Sequence, residues 1–301
     1  MAIKYSDHKF ISFQEYIQDT ERGKIIPYGH PMDEWIIRTL NSNIAKPLIE
    51  KAIDFLVSVK FGADLISMVP INSKSYPELF QILHHCAKTL AIPIPHTVLK
   101  QDINITYSAG TDSYVFIYVS PDLLQSFSTP EANFVIGCEC GHIATGQILY
   151  RTLVSFLTGV YEDIQPFGLP VDTLLKVAGV ALMAWSRRSE LTADRAGLIC
   201  CSDINIAETA LLKIATGMAD IKQIDIDRYL SQSEAMEEYL YPAKLNSIVK
   251  SQLSIPKRIK ALRLFANSEL YYKLINLPEP HGQNLLSREE LDRQVNQLIQ
   301  L

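Results

Sequence analysis

Apolar residues recur at helical spacing along much of the chain, and they single out residues 130–147 as a helix. Phe134, Val135, Cys138, His142, Thr145 and Leu149 fall on one mostly apolar face, which the spacing predicts to be buried. Ser128 or Thr129 can cap the start, Pro130 suits the first turn, and Glu131 stands where a capping box needs a carboxylate. Similar periodicity predicts helices over 33–68 (Ile44, Leu48, Ala52, Phe55), over 76–91 (Leu79, Ile82, Leu83, Cys86) and over 204–217 (Ile206, Ala210, Leu211, Ile214). A last helix runs to Gln300 from the capping box at Ser287–Glu290. Residues 101–107 and 114–120 alternate and are rich in β-branched and aromatic residues, so they read as strands. Ser108 to Ser113 between them reads as a turn. Residues 1–30 read as a loosely structured arm, 161–170 as a break, and 274–286 as a loop.

Composition adds bounds. The 301 residues are 48% hydrophobic, ample for a core, and 20% charged with a net of −5, which gives no reason to expect nucleic acid. The five cysteines are odd in number and form no disulfide framework, and no secretory signal is visible, so a cytoplasmic location is expected. The apolar runs 152–160 and 177–185 fall short of the roughly 20 residues that a bilayer needs. They read as buried helix segments, with peripheral membrane contact left open.

The chemistry lies inside the first helix, at Cys138-Glu139-Cys140-Gly141-His142. The zinc-peptidase helix motif H-E-x-x-H places two histidines on one side of a helix and a glutamate beside the metal-bound water. Here Glu139 and His142 are in place and Cys138 stands at the first histidine. A second long helix holds Glu190 and Asp194, four apart on one face, with Ala193 and Gly197 small enough for another element to approach closely. A buried glutamate on such a face needs a partner, and a metal is one.

Together the two stretches resemble the gluzincin peptidases of the HtpX and CAAX prenyl protease family, in which H-E-x-x-H is followed by S-R-x-x-E-x-x-A-D. The second motif is matched without a gap by Ser186, Arg187, Glu190, Ala193 and Asp194. The resemblance covers roughly residues 90–265. It implies a mostly helical α+β, zincin-like fold with a small β-sheet. It divides the chain into an N-terminal helical region (1–90), a metallopeptidase-like domain (91–270) and a C-terminal loop and helix (271–301). It implies Zn2+ held by Cys138, His142 and Glu190, with Asp194 orienting a ligand and Glu139 as general base. It also implies a peptide or protein substrate paired to an edge strand, for which 114–120 is the candidate. Family members carry H-P-x-x-x-x-R near the C-terminal end of the domain. Arg258 keeps the arginine, which by the resemblance would support the catalytic site electrostatically or structurally, while Gln252 stands at the histidine. Cys138 and Gln252 leave two readings open, a zinc metalloendopeptidase and an impaired pseudo-peptidase acting as a binding or regulatory module. A thiol ligand at Cys138 would also make the site sensitive to oxidation.

Overall fold

The computed structural model describes residues 26–29, 68–101, 103, 105–110, 115–157, 171–239 and 253–299. The arm over 1–30 (but for 26–29), the helix expected over 33–68 (but for Met68), the break at 161–170 and Gln252 lie outside them. Within the described residues the order is β1 (Val69–Pro70), α1 (Pro77–Thr89), β2 (His96–Leu99), β3 (Tyr107–Gly110), β4 (Val115–Val119), α2 (Pro121–Ser126), α3 (Thr129–Ala144), α4 (Ile148–Leu157), α5 (Val171–Cys201), α6 (Ile204–Thr216), α7 (Ile226–Tyr239), α8 (Ile255–Ala266), α9 (Glu269–Ile275) and α10 (Arg288–Ile299). The protein is mostly helical with a small mixed sheet, an α+β arrangement. No described helix is long and apolar enough to cross a membrane.

The strands lie in the order β1-β2-β4-β3. β4 runs parallel to β2 and antiparallel to β3, with Ser108 opposite Ile117. Two sequence expectations change here. β4 is flanked on both sides, so it is a core strand and not the edge expected for 114–120. β3 is the edge. Ser108, Ala109 and Gly110 belong to that strand and not to a turn. Their turn-like composition has a packing cause. Ser108 and Ala109 are buried under helices, where only small side chains fit.

α3 begins as its sequence predicts. Ser128 is the N-cap, and the Glu131 carboxylate accepts from the Ser128 backbone N–H at 2.6 Å and from its hydroxyl at 2.9 Å. The helix is not amphipathic, however. From Phe134 to Ile143 every residue is buried, because α1, α5, α6 and β3 all pack on it. Its closest neighbour is α5. A methyl group added at Gly141 would lie 2.5 Å from the Ala196 Cβ, and one at Gly197 would lie 2.7 Å from the Phe134 carbonyl oxygen. The two motif helices therefore meet backbone to backbone, which brings short side chains on each within reach of the other.

A smaller core fixes α4. Leu149, Tyr150, Leu153 and Val154 pack with Phe116 and Tyr118 of the sheet and with Leu182 and Trp185 of α5. The Tyr150 and Trp185 rings meet edge to face at 5.8 Å. Each such side chain contributes about 1.5–3 kcal/mol by burial. This contact lays α4 beside β3 and aims Arg151 at the two motif helices. On α8, Ile259, Leu262 and Phe265 point inward, and its basic residues find acids: Lys260 meets Glu234, and Arg263 meets Glu208 and Asp227.

Candidate metal centre

Cys138, Glu139 and His142 rise from α3, Glu190 and Asp194 from α5, and Arg258 from α8. All five of the first group are buried. Cys138, Glu139, His142, Glu190, Arg151 and Arg258 line one cavity of about 410 Å³. The residues that the sequence singles out are thus brought to a single place, and three further ones join them: Arg151, Ser108 and Gln147.

The end of α3 orients His142. Gly146 takes the left-handed conformation (φ +69°). The Gly146 N–H then donates to the Ile143 carbonyl at 3.0 Å and the Gln147 N–H to the His142 carbonyl at 3.1 Å, a Schellman closure. This return brings the Gln147 Oε1 to 2.9 Å from His142 Nδ1. An acceptor there fixes the proton on Nδ1, and the Nε2 lone pair faces Glu190 Oε1 at 3.7 Å. Burial, helped by the Arg151 charge, pushes the His142 pKa down to about 4, so the ring is neutral at pH 7.

Glu190 is held as an anion. Its burial disfavours charge, but Arg258 (Nη1 to Oε2, 3.2 Å), Arg151 and His142 outweigh it and bring the pKa down to about 2. Arg258 also forks onto Asp194, with Nε 2.8 Å from Oδ2 and Nη2 2.5 Å from Oδ1. Asp194 therefore anchors Arg258, and it is Gln147 that orients the histidine. The Cys138 thiol lies 3.8 Å from Asp194 Oδ1. Burial and then Asp194 raise its pKa well above the ordinary range, so it carries its proton.

Glu139 is tied by three donors. Its Oε2 accepts from the Ser108 backbone N–H at 2.6 Å, the Ser108 hydroxyl at 2.6 Å and Arg151 Nη1 at 2.6 Å. Ser108 uses for this the N–H that points away from β4, and the next outward N–H, of Gly110, donates to Thr152 Oγ1 at 3.0 Å. The outer donors of the β3 edge are thus occupied by side chains of α3 and α4, where an added substrate strand would need them.

The donor types, thiol, imidazole and carboxylate, are those that zinc takes. A tetrahedral ion with bonds of about 2.0–2.1 Å sets nitrogen and oxygen donors roughly 3.4 Å apart. His142 Nε2 and Glu190 Oε1 come within a few tenths of that. Cys138, as placed, turns to Asp194 instead. Among the described residues no three His, Cys, Asp or Glu side chains converge on one point. The fit is therefore good for two donors and incomplete for the third.

With that geometry, the sequence matches take on meaning. The profile of Peptidase family M48 matches residues 73–266. The chain belongs to peptidase family M48. As an M48 metallopeptidase homologue it is 27% identical over 173 residues to the plastoglobule-localized metallopeptidase 48, chloroplastic, of Arabidopsis thaliana, covering 56% of this chain and 49% of that protein. The chain thus spans about half the length of this curated relative. No match to a solved structure reaches significance. The matched stretch takes in Cys138, Glu139, His142, Arg151, Glu190 and Arg258 of the cavity wall, and Ser108 and Gln147 beside them.

The sequence motifs read above point to Cys138, Glu139, His142, Glu190, Asp194 and Arg258, and they leave Arg151, Ser108 and Gln147 unmarked. Arg151 alone carried a readable signal, as the one charged residue in the apolar stretch Ile148–Leu157. Gln147 lies beyond the helix end and Ser108 in a strand that reads as a turn, so no spacing ties either to the site.

Proposed function

We propose that this M48 protein is a zinc-dependent metalloendopeptidase, with His142, Glu190 and Cys138 holding the ion and Glu139 acting as general base. The observation that supports this most is the approach of His142 Nε2 to Glu190 Oε1, 3.7 Å apart in the cavity that Glu139 lines. Zinc, when bound, supplies Lewis-acid polarisation and a water nucleophile at neutral pH. The protein's own part is positional. Gln147 holds the tautomer of His142. Arg258 keeps Glu190 ionised and locks α8 to α5 through Asp194, so it is a positioning residue. A carboxylate oxygen of Glu139 takes a proton from the attacking water and returns it to the leaving amine. The substrate is a peptide or protein that enters the cavity.

One observation favours a second reading, an impaired pseudo-peptidase. Glu139 Oε2 accepts three hydrogen bonds from Ser108 and Arg151, and the Cys138 thiol turns to Asp194. Elemental mass spectrometry of the purified protein beside C138A and E190A separates the two. One zinc per chain, lost in both variants, is expected for the peptidase. No zinc after reconstitution under reducing conditions sinks it and leaves the binding module. Peptide cleavage by E139Q is expected to fall by roughly 10²–10⁴-fold. A pure variant that cleaves like the wild type removes the general base.

A further inference from the structure

The β3 edge is closed to a substrate strand, because Ser108 and Gly110 use their outer N–H groups on Glu139 and Thr152. Selectivity then falls to side-chain contacts, and part of the cavity wall is apolar. Val135 stands one turn before Glu139 on the same face of α3, about 6 Å along the axis. Ile214 of α6 and Ile105, 46% exposed, line the cavity with it. The same three residues line a second cavity of about 50 Å³, which continues past them to Phe127, Lys213 and Met218. The small cavity is thus a branch of the large one, and Ile105, Val135 and Ile214 are their common wall.

This wall is fixed by contacts that do not involve the metal-site acids. Lys213, beside Ile214, donates to the Ser126 carbonyl and to Glu131 Oε2, each at 2.8 Å. Glu131 lies one turn before Val135, so the pair holds Ile214 of α6 against that part of α3, and it neutralises the lysine of the branch. Thr106, beside Ile105, accepts from the Ser120 N–H at 3.2 Å.

We propose that Ile105, Val135 and Ile214 form the subsite that sets substrate choice, taking an aliphatic side chain such as leucine close to the scissile bond. This rests on reading the cavity as a peptidase centre with Glu139 at the reacting bond. An extended chain rises about 3.3 Å per residue, so the wall serves a position within about two residues of that bond. The branch, at about 50 Å³, is roughly a third of the ~150 Å³ that takes a benzene ring, so it admits an aliphatic tip and excludes an aromatic one. Asp122 in its lining disfavours an acidic side chain.

The test digests a peptide library of defined sequences with the reduced, zinc-loaded full chain and reads the cleaved bonds by mass spectrometry. Leucine is expected to exceed alanine by roughly tenfold or more at one position near the cleaved bond, the usual discrimination of an apolar pocket. I214A, which widens the passage into the branch, is expected to shift that position towards phenylalanine and to leave the other positions unchanged. Cleavage with no aliphatic preference, or I214A with the wild-type preference, overturns the subsite and leaves the peptidase standing. No cleavage by the wild type overturns both. Should I214A fail to fold, I105A decides, since its side chain is half exposed. Its ratio of leucine to alanine is expected to fall by a few fold, and an unchanged ratio overturns the proposal.

Discussion

Two arginine–carboxylate contacts flank the cavity, and their difference separates a joint from a working part. Arg258 and Asp194 form a fork between α8 and α5, with side chains 11% and 2% exposed. Asp194 is outside the cavity lining, and the pair ties two helices. Arg151 and Glu139 use the same chemistry on the cavity wall, with side chains 17% and 7% exposed. There the carboxylate has a second set of donors in Ser108. Removing Arg258 takes the cation from buried Asp194 and leaves Glu190 with the more distant Arg151. Removing Arg151 leaves Glu139 its Ser108 donors and Glu190 its Arg258.

Unfolding free energies should show that contrast, and they carry the largest effect. R258A is expected to lose about 3–5 kcal/mol of stability, the usual result of breaking a buried pair from one side. R151A is expected to lose about 1–2 kcal/mol, since Glu139 keeps charged hydrogen bonds to Ser108 and the site is partly solvated. Urea titration of both variants measures the gap. Equal losses would break the comparison and make Arg151 a structural joint as well.

A smaller effect tests what positions the two acids in the first place. The α3–α5 contact depends on missing side chains, so G141A must push Ala196 away. It is expected to cost about 1–3 kcal/mol and to lower zinc affinity together with stability. A G141A variant that bound zinc more tightly would show that helix separation, and not charge, limits the site.

Much of this arrangement is local and therefore legible from sequence. The capping box at Ser128 and Glu131, the four-residue spacing of Cys138 and His142, and the shared face of Glu190 and Asp194 all follow from helix geometry within one segment. The small Ala193 and Gly197 announced a close neighbour, and Gly197 does meet α3. What was not legible depends on non-local packing. β4 looked like an edge because its parallel neighbour β2 is distant in sequence, while its hairpin-like partner β3 is adjacent. The burial of α3 on all sides comes from four separate elements, and one-dimensional periodicity registers only one face. Ser108 and Arg151 reach Glu139 across 31 and 12 residues, with no repeat to mark them.

The far end of α3 supplies a third carboxylate–cation contact, away from the metal-site acids, and with it the smallest and cleanest test. Glu131 accepts from Lys213 Nζ at 2.8 Å as well as from Ser128. Burial raises its pKa, but Lys213 and Ser128 outweigh burial and set it below the ordinary 4.5. The folded protein thus releases this proton more readily than the unfolded chain. The stability it contributes is present above the unfolded pKa and is lost as pH falls through the folded one. E131Q is expected to cost about 1 kcal/mol at pH 7, as loss of a cap does, and to flatten the acid limb of the stability curve. Zinc affinity at pH 7 should not change, because Glu131 does not line the cavity. An E131Q variant with altered zinc affinity would show that the start of α3 is coupled to the cavity. A stability–pH curve for E131Q that kept its full acid limb would place the acid sensitivity elsewhere in the fold.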